Sequence, residues 1–230
     1  MTPPISQADY MRRWTAGDSP GREALVAHLE SRLGPEHRRI ALPAERRLRA
    51  AWDPSAPPET LEDVSLRARP ASDLGPAHLL YAGFGLSDLD FDADLAGETV
   101  SGMGIEPVFR LAAADANVAA APTWPCELLN VIGRLALETP EAVVPGFLAM
   151  LPEPLLPEGE IAALLLITDP ELDVAQTPHG AVDLHLAVGV TRAEAEAMVQ
   201  KRVTIAAMLA ALERAGAGVV TDPARRGSVL

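Results

Sequence analysis

Ile161-Ala162-Ala163-Leu164-Leu165-Leu166-Ile167-Thr168, followed by Asp169-Pro170, is the stretch on which the fold turns. Seven apolar residues in a row show no polar alternation, and the Asp-Pro pair stops them well before helical length. The run reads as a central strand covered on both faces. It also falls far short of the ~20 residues that span a bilayer. Downstream, Val182, Leu184, Leu186 and Val188 alternate with Asp183, His185 and Ala187, the pattern of a half-buried strand. Thr191-Arg192-Ala193-Glu194 is a capping box, which opens a helix running to about Arg214 with a break near Lys201 to Thr204. Gly216-Ala217-Gly218 ends that helix, and Val219-Val220-Thr221 offers a last strand before Asp222-Pro223.

Upstream, Pro122-Thr123-Trp124-Pro125 opens a helix whose Leu128, Leu129, Ile132 and Leu135 share one face. His78 to Phe84 and Glu106 to Leu111 read as strands around a Gly- and Asp-rich loop, with Pro107 suited to an edge or a strand start. Ala24, Leu25, His28, Leu29 and Leu33 have helical spacing between Ser19-Pro20-Gly21 and the stop signal Gly34-Pro35. Between Ala41 and Pro76, Arg-rich helical pieces mix with prolines, and Val64-Ser65-Leu66 has strand character. Strands alternate with helices in the second half. The expected fold is therefore a mixed α+β domain with a central mixed sheet flanked by helices. Residues 1–60 are expected to form a helical lead-in packed on a domain of residues 61–230.

A chain of 230 residues buries roughly 70 to 75% of its unfolded surface and needs no disulfide or metal to fold. Its formal net charge of −13 disfavours nucleic acid, whose binding depends on Lys and Arg displacing counterions. Aromatic residues, at 4%, leave few rings on which bases could stack. The charge is uneven: Arg38, Arg39, Arg46, Arg47 and Arg49 form a basic run, read as a solvated helix face, while Asp88 to Glu98 holds five acids and no base. The single Cys126 fits a reducing compartment, and the N-terminus has no secretory pattern. The expectation is a soluble, cytoplasmic protein with neither a membrane nor a nucleic-acid partner.

Motifs that could carry chemistry are incomplete. Asp88, Asp90, Asp92 and Asp94 alternate as in a calcium loop, but Ala93 replaces its glycine and Thr99 its terminal glutamate. Asp183 and His185 share a strand face, and no His/Cys spacing matches a zinc site. Cys126 at a helix start is a possible nucleophile, and with Asp183 and His185 it forms the alternative reading of a hydrolase. Ser87 lacks the glycine two residues later that a nucleophile elbow needs. Gly102-Met103-Gly104 lacks the last glycine of a dinucleotide fingerprint. No cofactor or metal is expected.

The same glycine-punctuated segments resemble, in order, the blocks of the suppressor-of-fused domain family. Tyr81 to Leu89 is similar to its Y-x-x-x-G-L-S-D-L block, and Ser101 to Leu111 to its S-G-F-G-F-E-L-T-F-R-L block. Pro122-Thr123-Trp124-Pro125 with Glu127-Leu128, then Thr168-Asp169-Pro170, resemble the next two. Gln176 to Gly180 with Val188-Gly189-Val190, and Thr221 to Gly227, complete the series, which covers about Val64 to Ser228. Met103, Ile105 and Pro107 depart from it and predict a strand shortened at its start.

The resemblance implies a mixed α/β domain that binds another protein and is not an enzyme. Animal relatives add a peptide as a strand between two domains, and this chain is too short for the second. Single-domain bacterial relatives resemble immunity proteins, which implies a basic toxin or a peptide segment as partner. A regulatory subunit of a larger assembly is the alternative to that role. A monomer or weak homodimer is expected. By correspondence, Tyr81, Asp88 and Glu106 are the candidate protein-binding residues; their plainer roles are a core tyrosine, a turn-capping aspartate and a rim glutamate.

Overall fold

The structure, a computed structural model, describes residues 6, 8, 9, 11, 12, 19–42, 61–90 and 92–230. Its elements are α1 (Pro20–Leu33), β1 (Arg38–Ala41), β2 (Asp63–Arg69), β3 (His78–Phe84), β4 (Val100–Ala112), α2 (Trp124–Glu138), β5 (Leu148–Met150), β6 (Ile161–Thr168), β7 (Ala175–Thr177), β8 (Gly180–Thr191), α3 (Arg192–Val199) and α4 (Ile205–Arg214). The strands form one mixed sheet in the order β1-β2-β3-β4-β8-β6-β5, with β7 also paired to β8. Strands β4 and β8 run parallel, so the chain must cross over between them, and α2 with β5 to β7 supplies the crossover.

Helices cover both faces of this sheet. Ala163, Leu165 and Ile167 of β6 face a layer built with Leu25, Leu29 and Leu33 of α1, Met198 of α3 and Met208 and Leu212 of α4. Leu164 and Leu166 face the opposite layer with Leu128, Leu129 and Ile132 of α2. A strand buried on both sides has no use for polar alternation, which accounts for the uninterrupted apolar run of β6. Val182, Leu184, Leu186 and Val188 lie in the α1 layer as their alternation requires.

Several expectations needed correction. Arg38 and Arg39 sit on a strand, β1, where charged side chains suit the exposed edge of the sheet. Arg46, Arg47, Arg49 and the prolines from Pro54 to Pro58 lie outside the described residues. The second half runs through four strands in succession before two helices. Val219 to Thr221 forms no strand; Thr221 makes a single bridge to Leu111. Strand β4 is not shortened but begins at Val100, because Gly102 and Gly104 adopt positive φ (54° and 73°) and absorb a register shift against β8. Pro107 sits mid-strand rather than at an edge. There the β3 ladder has already ended at Val108, and Gly83 leaves room for its ring, since a Cβ on Gly83 would lie 3.0 Å from Pro107 Cγ. The described parts of the expected lead-in share the core: α1 packs in one helical layer and β1 extends the sheet.

Candidate functional site

Tyr81 is fully buried on β3, where its hydroxyl donates to the Pro122 carbonyl at 2.9 Å. Glu106 on β4 is buried too, and its Oε1 accepts from the Gly85, Leu86 and Ser87 amides and the Ser87 hydroxyl at 2.6–3.1 Å. Its Oε2 has no hydrogen-bond partner. Burial pushes this carboxyl up to about 7, against the pull of Ser87 and the loop amides. Asp88 is half-buried: its Oδ2 accepts from the Gly102 amide at 2.5 Å, its amide donates to Ser101 Oγ at 3.0 Å, and its carbonyl accepts from His179 Nδ1 at 2.8 Å. The structure thus brings Asp88 and Glu106 together around one loop, 85–88, and places Tyr81 in the α2 layer. Glu106 holds the loop from beneath instead of standing at a rim.

The hydrolase trio is not wired for catalysis. Cys126 lies buried in α2 and its thiol is pushed up to about 11 by burial, which removes the thiolate a nucleophile needs. His185 is buried, pairs through Nδ1 with the Val143 carbonyl at 2.7 Å, and is held below its usual range by burial, although Asp183 opposes this. No hydrogen bond joins the three residues among those described. Phe91, inside the acidic loop, lies outside the described residues, and no metal-holding group of His, Cys, Asp or Glu occurs among the described ones. No described helix is long and apolar enough to cross a membrane.

A buried ionic network escaped the sequence reading. Arg110 of β4 has no exposed side chain and grips Asp169 through Nε and Nη2 at 2.9–3.1 Å. Nη2 also reaches Glu171 at 3.0 Å, and Glu171 pairs with Arg69 of β2, which caps the last turn of α1 by donating to the Leu33 carbonyl. Arg110 Nη1 lies 3.1 Å from His78 Nε2. A guanidinium only donates, so His78 must accept there and donate from Nδ1 to the Pro76 carbonyl. Burial accordingly lowers His78 to about 4. Nothing in the spacing of Arg69, His78, Arg110 and Glu171 announces this cluster; Arg110 and Asp169 belonged to two separate recognised blocks, with nothing to say that they meet.

Other blocks are internal braces as well. Arg225 bonds bidentately to Glu194, the capping-box glutamate, at 2.7 and 2.8 Å, tying the closing segment to α3. Gly189 lets Thr221 approach, where a Cβ would meet Thr221 Cγ2 at 2.5 Å.

The edge of the sheet opposite β1 lies elsewhere, at β5. Phe147 accepts from the Leu166 amide and Leu151 donates to the Ala162 carbonyl. By antiparallel alternation Ala149 also bonds inward, so the N–H and C=O of Leu148 and Met150 point away from β6. Among the described residues no neighbouring strand takes them up. Grooves flank this edge on both faces. One, of about 550 Å³, lies between β5 and α2 and is lined by Val131, Leu135, Phe147 and Met150 among others; Val131 and Met150 are 50% and 45% exposed. The other, also about 550 Å³, lies between Phe147–Leu148 and the α3–α4 turn. Apolar side chains flanking unpaired backbone groups are what an added strand would need: ladder bonds for its main chain and pockets for alternate side chains.

The family model described as Suppressor of fused protein (SUFU) matches residues 62–226. The Suppressor of fused homolog of Homo sapiens is 34% identical over 145 residues, which is 60% of this chain and 30% of that relative. The chain therefore matches less than a third of the length of that relative. The Sufu chain of a Sufu–Fu complex crystal structure superposes with a TM-score of 0.75 at 28% identity, covering 92% of this chain and 93% of that one. A SUFU homolog from Neisseria gonorrhoeae shares the fold at a TM-score of 0.57 and 11% identity, over 91% and 97% of the two chains. The matched residues run from the start of β2 to the Arg225–Arg226 pair, so the chain belongs to the suppressor of fused family.

Proposed function

We propose that this chain is a non-enzymatic protein-binding domain that receives an extended segment of its partner as an added strand on the free edge of β5. The observation that supports this reading is the outward-facing N–H and C=O of Leu148 and Met150 between two apolar grooves. A three-residue strand alone offers few hydrogen bonds, so the flanking grooves supply the apolar area that holds the segment. The Sufu of the similar complex structure is bound to Fu, which favours the same class of activity here. The partner is neutralised or regulated, and the net charge of −13 suits a basic one, such as a toxin, steered at long range. On the loop after β3, Asp88 is a second contact residue, while Tyr81 and Glu106 serve by holding its strand and loop.

Met150→Pro tests the edge. Its amide points outward, so proline removes a donor for the partner without breaking the β6 ladder. Capture of partner proteins from the native host by the wild-type chain, lost with Met150→Pro while Tm is kept, is the expected result. Equal capture by both would overturn edge binding. For neutralisation, co-expression must rescue cells from the captured partner when that partner is toxic. Unimpaired killing would remove the immunity role and leave a regulatory one.

A further inference from the structure

The groove on the α3–α4 side of β5 carries a single charged residue in its lining, Lys201, which is also the only lysine of the chain. Around it stand Phe147, Leu148, Met198, Val199 and Ile205, with Val199 67% and Ile205 37% exposed. Among the described residues no carboxylate pairs with Lys201. A cation left unpaired, in a protein with 32 acidic residues, is an open electrostatic position.

The backbone reinforces the point. Helix α3 ends in a Schellman turn: the Lys201 amide donates to the Met198 carbonyl and the Arg202 amide to the Ala197 carbonyl, both at 2.9 Å. The residue after the cap must then adopt the left-handed region, and Lys201 does so at φ +57°. Glycine adopts this conformation without steric cost and is the usual occupant. A lysine here keeps a strained backbone, and the residue lines the groove beside the unpaired edge.

We infer that Lys201 is a specificity residue that selects a partner segment bearing a carboxylate, Asp or Glu, on the side of the added strand that faces α3 and α4. The inference rests on the strand-addition reading above. Side chains alternate across a strand, so the acid faces the same side as Leu148, and its two neighbours face the α2 groove, as Phe147 and Ala149 do, and are apolar. A partner that is basic as a whole still meets this requirement with one acid inside the inserted segment.

The test uses the full chain and a displayed library of random heptapeptides, followed by affinity measurement with a selected synthetic peptide. Selected sequences should carry Asp or Glu flanked by apolar residues. Lys201→Glu should weaken that peptide by roughly tenfold and Lys201→Gly by roughly threefold, the range of a partly exposed ion pair removed or reversed. Replacing the peptide's acid by its amide should weaken wild type by the same roughly threefold factor, leave Lys201→Gly unaffected and tighten binding to Lys201→Glu, whose repulsion it removes. Lys201→Gly relieves the left-handed strain, so its Tm should stay level or rise, which separates lost binding from lost fold. Bound peptide should also slow acylation of the sole side-chain amine. Peptides that depend on Met150 but ignore Lys201→Glu would overturn the inference and leave strand addition standing. Peptides indifferent to Met150→Pro, or an empty selection, would overturn both.

Discussion

Asp169→Ala removes the centre of the buried ionic network. In the wild type the carboxylate accepts from Arg110 Nε and Nη2, and its Oδ1 also accepts from the Glu171 and Leu172 amides at 2.9 and 3.2 Å. Neither Asp169 nor Arg110 exposes any side chain, so water cannot replace what is lost. The variant strands a guanidinium whose remaining partners are Glu171 and His78, along with two backbone amides. Breaking a buried pair in this way costs about 3–5 kcal/mol, against a total stability on the order of 5–15 kcal/mol. With a urea m-value of about 2–3 kcal/mol/M, the unfolding midpoint should fall by roughly 1–2 M. A cycle is closed by Arg110→Met alone, Asp169→Asn alone, and Arg110→Met combined with Asp169→Asn. The latter keeps an acceptor for the two amides, so the pair of changes together should cost less than the single losses added. A midpoint shift below about 0.3 M for Asp169→Ala, or strict additivity in the cycle, would refute the argument that these two charges compensate each other.

Glu106 predicts an unusual pH profile. Its carboxyl is raised to about 7 in the fold against an ordinary 4.5, so the folded state holds the proton more tightly. This contribution is complete below pH 4.5, declines as pH rises through about 7, and amounts to about 3 kcal/mol at most. Glu106→Gln should flatten that decline in unfolding free energies measured from pH 5 to 8, and an unchanged slope would remove Glu106 as its cause. Gly21 in α1 sets propensity against packing: Gly→Ala within a helix should stabilise by about 1 kcal/mol, yet the new Cβ would lie 2.0 Å from the Asp88 carbonyl oxygen. Gly21→Ala should therefore lower Tm, and a rise would show that the loop yields freely.

The recognisable blocks and the candidate binding edge occupy different parts of the chain, and the reason is physical. Gly102, Gly189, Asp169, Thr221 and Arg225 sit where backbone approaches backbone or where a buried charge is met, positions that tolerate one residue type each. Such constraints leave a trace in sequence. Leu148-Ala149-Met150 needs only apolar side chains and an empty flank, which a short apolar stretch in a proline-rich connection does not announce.

What the chain order of residues determined by itself was local: the buried run of β6, the alternation of β8, the capping box at Thr191, and the break near Lys201, each set by neighbours within a few positions. Tertiary structure alone decided that β5 would end the sheet with one neighbour among the described residues. It also decided that Arg110 meets Asp169 across 59 residues, and that Lys201 stands beside a strand more than 50 residues earlier. Those pairings depend on how distant strands order themselves in the sheet, where no local pattern specifies the neighbour.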